Sequence, residues 1–152
     1  MTVGCKLMSH AVGGAKIEEW ARFDLRHLGE PVLRVTQLRH DDQDRPVRLE
    51  RIVMVVDRVP GLTSGEDGIP DITELVQRHG LDLARVAERV SIVPATGDVA
   101  LHLGVARGTE VVKMERVVET TDGVPLEWRV TYSMGRLASN PEPALPAAEC
   151  TC

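Results

Sequence analysis

The chain repeats itself once. The segment Gly29-Glu30-Pro31-Val32-Leu33-Arg34-Val35 is matched by Gly108-Thr109-Glu110-Val111-Val112-Lys113-Met114, and the turn Asp41-Asp42-Gln43-Asp44-Arg45-Pro46 by Thr120-Thr121-Asp122-Gly123-Val124-Pro125. The glycine and the proline fall at one constant spacing of 79 residues, and Trp20-Ala21 and Val99-Ala100 stand at the same spacing upstream. Two copies are too few for a solenoid, which needs about three units to bury its open faces. The copies must therefore complete one another inside one pseudo-symmetric domain. A chain of 152 residues with 43% hydrophobic content has material for one such core and not for two.

Each copy reads as a short helix, a glycine stop and a β-hairpin. Ile17, Trp20, Ala21, Asp24 and Leu28 follow a 3–4 spacing that predicts a helix over 15–27 with Trp20 in the core. Gly29 then serves as its stop, and Pro31 prevents continuation. Thr96 is placed to cap a shorter helix through Leu103 that Gly104 ends. β-Branched runs bounded by turn residues predict strands over 31–40, 46–56, 110–119 and 124–133, with Asp122-Gly123 the clearest turn signal. Between the copies a Gly/Ser/Asp loop leads to a helix over 71–79 ended by Gly80. Residues 84–93 fit a helix or a strand, and the added β-branched residues before Pro94 favour the strand. The tail 139–152, with Pro141, Pro143 and Pro146 among alanines, reads as disordered, which leaves 1–138 as the folded domain.

Eighteen basic against 23 acidic residues give a net charge of -5, which argues against direct nucleic-acid binding by this chain. Aromatics at 3% remove base-stacking platforms as well. No apolar run approaches the ~20 residues of a membrane span, and the opening residues lack the pattern of a secretory signal. The odd count of three cysteines does not suit a disulfide framework, so the expectation is a cytoplasmic protein without membrane contact. His10, His27, His40, His79 and His102 are scattered, and Cys150 and Cys152 have no histidine nearby, so neither a metal nor another cofactor is expected. Ser9 lies outside a G-x-S-x-G context, Cys5 has no base partner in the sequence, and Gly13-Gly14 lacks the ending of a phosphate loop. No catalytic residue is identified.

Strand alternation sorts the charged side chains by face. Leu33, Val35, Gln37 and Arg39 share one side of the first strand, and Arg48, Glu50, Ile52 and Met54 one side of its return. In the second copy Met114, Arg116 and Val118 share a side, as do Glu127, Arg129, Thr131 and Ser133. Each hairpin can thus bring an arginine and a carboxylate to one face. That pairing suits an anionic, hydroxylated small molecule, because a guanidinium presents a fork to an oxyanion. The competing reading is cross-strand ion pairing on a solvated face, which contributes little.

The stretches LGEPVLRVTQLRHDDQDRPVRLERIVMVVDRVPGL, ELVQRHGLDLARV and ALHLGVARGTEVVKMERVVETTDGVPLEWRVTYSMG resemble the UTRA domain, the effector-binding half of HutC-type GntR transcription regulators, from about Lys6 to Arg136. The resemblance implies an α+β fold shared with bacterial chorismate lyase: a central antiparallel sheet with helices packed on it and a ligand enclosed between two pseudo-symmetric halves. It also implies a small-molecule effector and a homodimer. By motif, the family's R-x-R falls on Gln37 and Arg39, its two glutamates on Glu50 and Glu127, and its opening serine on Ser9. With Arg129 from the face assignment, the expected ligand-binding residues are Ser9, Gln37, Arg39, Glu50, Glu127 and Arg129. The family's S-L-Y reads Asp71-Ile72-Thr73, and a carboxylate there would repel a phosphate. Such regulators carry a winged helix-turn-helix ahead of the domain; too few residues precede the similarity to hold one, so the expectation is an effector domain without its own DNA-binding module. One alternative is a chorismate lyase-like enzyme, although the late-strand glutamate of that enzyme falls on Val130 and Glu127 shares its face with Arg129. The other is a dimerisation module acting by strand addition at a sheet edge.

Overall fold

In a computed structural model of the chain, residues 4–25, 29–58 and 83–134 are described. They form an α+β unit in which each copy contributes a strand, a helix and a hairpin. The first copy runs β1 (Gly4–Gly14), α1 (Ile17–Phe23), β2 (Pro31–His40), β3 (Pro46–Val55) and a 3-10 turn at Val56–Arg58. The second runs β4 (Leu83–Pro94), α2 (Gly97–Leu103), β5 (Glu110–Thr120) and β6 (Pro125–Ser133). The strands make one antiparallel sheet in the order β1-β2-β3-β6-β5-β4, so the two return strands meet at its centre. There Arg51 pairs with Val130, its own equivalent 79 residues on, and the pseudo-twofold axis passes through this pair.

The four hairpin strands match their expected ranges to within a residue at either end. The ambiguous stretch 84–93 is strand β4. The expected helix over 71–79 and the tail 139–152 lie outside the described residues. Strand β1 has no counterpart among the expected elements. Its sequence carries three glycines and little alternation, and it is fixed as a strand by pairing with β2 from Gly4–His40 to Gly14–Pro31.

Helix α1 is shorter than its spacing predicts and buries a different face. It ends at Phe23, with Asp24 as a left-handed cap at φ 51°. Trp20 is 41% exposed and Ile17 more so, while Glu19 and Phe23 are buried. The cause is tertiary: the Glu19 carboxylate accepts from the Lys16 backbone N–H at 2.8 Å and from Arg34 Nε at 2.8 Å, which pins that side of the helix to the sheet. Phe23 then packs with Leu25 and Val55, flanked by Ala15, Val53 and Trp128. Gly29, five residues beyond the cap, is not the helix stop. It opens β2 at φ 93°, as Gly108 opens β5 at φ 89°, a left-handed conformation that glycine adopts without a Cβ penalty.

Helix α2 follows its sequence signals. Thr96 Oγ1 accepts from the Val99 N–H, and Gly104 ends the helix at φ 68°. Val99, Ala100 and Leu103 pack on Leu38, Leu49 and Val111. Glu19 and Phe23 are therefore the counterparts of Val99 and Leu103, one residue off the 79-residue spacing, and Trp20-Ala21 is not matched to Val99-Ala100 as the sequence suggested. No helix among the described residues is long and apolar enough to cross a membrane.

Candidate functional site

The two helices pack on one face of the sheet, through Leu38, Leu49, Val55 and Val111. The opposite face carries the residues that alternation grouped together, and the register lays them out as a lattice. Arg39 stands beside Arg48 and then Ser133; Gln37 beside Glu50 and then Thr131. In the next rows Ile52 is followed by Arg129 and Arg116, and Met54 by Glu127 and Val118. The polar residues therefore form a diagonal band from Arg39 through Glu50 and Arg129 to Arg116, crossing the pseudo-twofold axis. Leu33, Val35, Ile52 and Met54, all buried, fill the corner below it.

The band is buried. Glu50 is 1% exposed, Glu127 fully enclosed, and Gln37, Arg39, Arg116, Thr131 and Ser133 are buried beside them. Charges this far from water persist only when paired. Glu50 Oε1 accepts from Arg39 Nε and from Gln37 Nε2 at 3.3 Å, and Glu50 Oε2 accepts from Arg129 Nη1 at 3.0 Å. Arg129 donates in addition to Glu127 Oε1, from Nε at 2.9 Å and from Nη2 at 2.8 Å. The second oxygen of Glu127, Oε2, is buried and has no hydrogen-bond partner among the described residues. Burial by itself would raise the Glu50 carboxyl. The charges of Arg129 and Arg39, the hydrogen bond from Arg39 and the further charge of Arg48 outweigh it and hold the group below the usual carboxylate range.

Of the six residues expected from the sequence, the fold brings Gln37, Arg39, Glu50, Glu127 and Arg129 into one network. Ser9 is not part of it. It pairs with Thr36, whose side chain alternates away from Gln37, and it is exposed. An irregularity between Leu7 and Ser9 sets this register, a shift that no residue pattern announces. The solvated-face reading of the pairs does not hold, because the network is enclosed. Arg116, Thr131 and Ser133 join the same buried face without having been expected in the site. For Arg116 the signal was present, since it is the repeat counterpart of Gln37.

A cleft of about 280 Å³ opens on the helix face over Arg51, Val53, Trp128, Val130 and Tyr132. Its charges are matched from within: Arg51 bonds Asp98, while Arg22 at 3.8 Å and Lys113 at 3.1 Å flank Glu115. Arg22 also lies 4.6 Å over the Trp128 ring. Val130 lines this side, so the position of the lyase glutamate faces away from the buried band.

Comparison with known proteins places this geometry. No curated protein matches the sequence. Among solved structures, PhnF from Mycobacterium smegmatis superposes with a TM-score of 0.77 at 22% identity, covering 88% of this chain and 59% of that one. The chain thus spans 59% of the length of PhnF. The effector domain of PhnF gives a TM-score of 0.78 at 21% identity, over 89% of this chain and 82% of that one. A GntR-family transcriptional regulator from Bacillus cereus gives 0.79 at 19% identity, over 90% and 94%. At such identities these likenesses establish the fold alone. The sequence itself matches the UTRA domain over residues 1–136, nearly its whole length, and the chain belongs to the UTRA domain family.

Proposed function

We propose that this domain binds a small anionic metabolite on the buried polar band and reports its presence as the effector-sensing part of a HutC-type GntR transcription regulator. In this reading it works as a cytoplasmic homodimer, and DNA contact is made by a module other than the residues described. Gln37, Arg39, Glu50, Glu127 and Arg129 form the binding surface. One observation carries the reading: an enclosed carboxylate oxygen, Glu127 Oε2, has no hydrogen-bond donor among the described residues, although the other oxygen of that carboxylate is held by Arg129. Leaving such a group desolvated and unmatched costs about 1–3 kcal/mol, and a ligand N–H or O–H would remove that cost.

The test is thermal stability across a panel of metabolite anions. A ligand present at 100 times its dissociation constant stabilises the fold that binds it by about 2.7 kcal/mol. A panel member that raises the melting temperature of the native chain, and fails to do so for Arg39→Ala, supports the reading. A comprehensive panel with no stabilising member refutes it.

A further inference from the structure

We propose that a second copy of this chain docks on the outer edge of β4. The two β4 strands pair antiparallel about a two-fold axis at Ser91 and join two six-stranded sheets into one. The proposal rests on the homodimer of the reading above and gives it a surface and a register.

The sheet has two edges, β1 and β4, and each of these strands pairs with a single neighbour among the described residues. Alternate residues of such a strand direct N–H and C=O groups away from the sheet, where another strand can take them up. The two edges are not equivalent. Strand β1 carries an irregularity between Leu7 and Ser9 and glycines at both ends, features that break up an edge. Strand β4 has no glycine and pairs with β5 without a break from Arg85 to Pro94. Every residue from Ala87 to Ile92 is exposed, Val90 at 59% and Ile92 at 68%. The register identifies their counterparts in the first copy as His10 and Val12: His10 faces Val35 as Val90 faces Met114, and Val12 faces Leu33 as Ile92 faces Val112. The more apolar edge is therefore β4.

The sequence of β4 selects one register with itself. About a two-fold axis perpendicular to the sheet, the residue at the axis faces its own copy. Centred on Ala87, Glu88 or Arg89, the pairing opposes like charges, which is destabilising. Centred on Val90, it sets each Ile92 against a glutamate, and centred on Ile92 it leaves Val90 against a proline in a shortened overlap. Centred on Ser91, it sets Val90 against the partner's Ile92 twice over and opposes no like charges. Val90 and Ile92 share their face with Met114 and Val112, so the seam extends an apolar strip already present on the sheet. That face is the one that carries the polar band, and its rows continue from one copy into the other.

The experiment uses the full chain under reducing conditions. Sedimentation velocity over a concentration series gives the dimer dissociation constant of the native chain, of Ile92→Lys, of Val12→Lys on the β1 edge and of Trp20→Lys on the exposed side of α1. The native chain should dimerise. Ile92→Lys should weaken the dimer at least about tenfold, since each dimer loses two buried isoleucines and gains two charges in the seam. Val12→Lys and Trp20→Lys should leave it unchanged. Ser91→Cys reads the register directly: facing residues of an antiparallel pair have Cα atoms ~4.5–5.5 Å apart, within the span of a disulfide. Mild oxidation of that variant should give a dimer linked between the two copies of position 91, identified by peptide mass spectrometry. A native dimer that Ile92→Lys leaves intact overturns the docking surface and leaves the homodimer standing, as does one that Val12→Lys or Trp20→Lys dissociates in its place. A Ser91→Cys dimer without that link overturns the register and the proposal with it. A native chain that stays monomeric at every concentration removes both the surface and the homodimer.

Discussion

Glu50 and Arg129 are one and the same position of the repeat, 79 residues apart, and Arg129 Nη1 donates to Glu50 Oε2 at 3.0 Å. Two residues earlier the inversion recurs: Arg48 in the first copy is Glu127 in the second. Identical residues at 50 and 129 would bring like charges together across the pseudo-twofold axis, since the two positions are diagonal neighbours where β3 and β6 run side by side, whereas Arg48 and Glu127 lie six register positions apart. The opposite charges turn a repulsive contact into a buried bond. They also make the interior of a nearly symmetric fold chemically asymmetric.

Removing the centre of that network should be costly. Glu50→Gln leaves Arg39 and Arg129 buried with only part of their counter-charge, and breaking a buried pair costs about 3–5 kcal/mol. Urea unfolding should show a lowered midpoint with an unchanged slope. A change under about 1 kcal/mol would mean that the network behaves as a surface ion pair.

Acid should unfold the domain through the same groups. Glu50 and Glu19 both lie below the ordinary value of 4.5 in the folded state; for Glu19 burial opposes the shift, and the hydrogen bonds from Arg34 and Lys16 outweigh it. A carboxyl lowered on folding contributes stability that is complete above its unfolded pKa and disappears as pH falls through its folded one. Stability should therefore hold above pH 5 or so and decline steadily below it, and Glu50→Gln should flatten that decline. Denaturation midpoints measured from neutral pH into acid check the sign.

Much of this fold was legible because β-branched alternation, Thr96 and the glycines act locally. Thr96, Gly104 and the Asp122-Gly123 turn need no distant partner to take their conformations, and the elements they bound came out where expected. Helix α1 was misjudged because its buried face is chosen by Arg34, fifteen residues away on another strand, and an anchored glutamate scores as a surface residue in any hydrophobic pattern. Strand β1 went unread because pairing alone makes it a strand. Alternation did place the five networked side chains on one face. It could not say that the face is enclosed, because burial depends on what covers a sheet and not on the sheet's own sequence.

The α1 anchor gives its own test. Val99 occupies in the second copy the place that Glu19 holds in the first, so the site accepts an aliphatic side chain. Arg34→Met alone strands the Glu19 carboxylate and should cost about 3–5 kcal/mol, whereas Glu19→Val with Arg34→Met should return to within about 1 kcal/mol of the native chain. A double variant no better than the single one would show that the pair is needed for more than its mutual neutralisation.

The glycines that open β2 and β5 should be matched in cost. An added Cβ at Gly29 or Gly108 meets nothing within 4 Å, so Gly29→Ala and Gly108→Ala pay only for a left-handed backbone, about 1–2 kcal/mol each. At Gly14 the added Cβ meets Gly29 Cα at 3.2 Å, and Gly14→Ala should destabilise by moving backbone against backbone. Thermal unfolding of the three variants separates the two causes: Gly29→Ala and Gly108→Ala should lower the melting temperature by the same amount, and a Gly14→Ala chain as stable as the native one would show that the contact with Gly29 relaxes without cost.

Glu127 separates binding from folding. One of its oxygens is held by Arg129, and the other has no donor among the described residues. Glu127→Gln keeps an acceptor for Arg129 through its amide oxygen and replaces the waiting acceptor with an amide NH2, which would oppose a ligand N–H or O–H donor in place of receiving it. The unliganded variant should stay folded, because Arg129 retains its bond to Glu50. Any metabolite that stabilises the native chain should lose about 1.5–3 kcal/mol of affinity, the worth of a hydrogen bond to a charged group, seen by calorimetry as a tenfold or greater rise in Kd. Unchanged affinity in a folded Glu127→Gln chain would mean that the open oxygen belongs to the protein's own economy and that the ligand, if bound at all, sits elsewhere on the band.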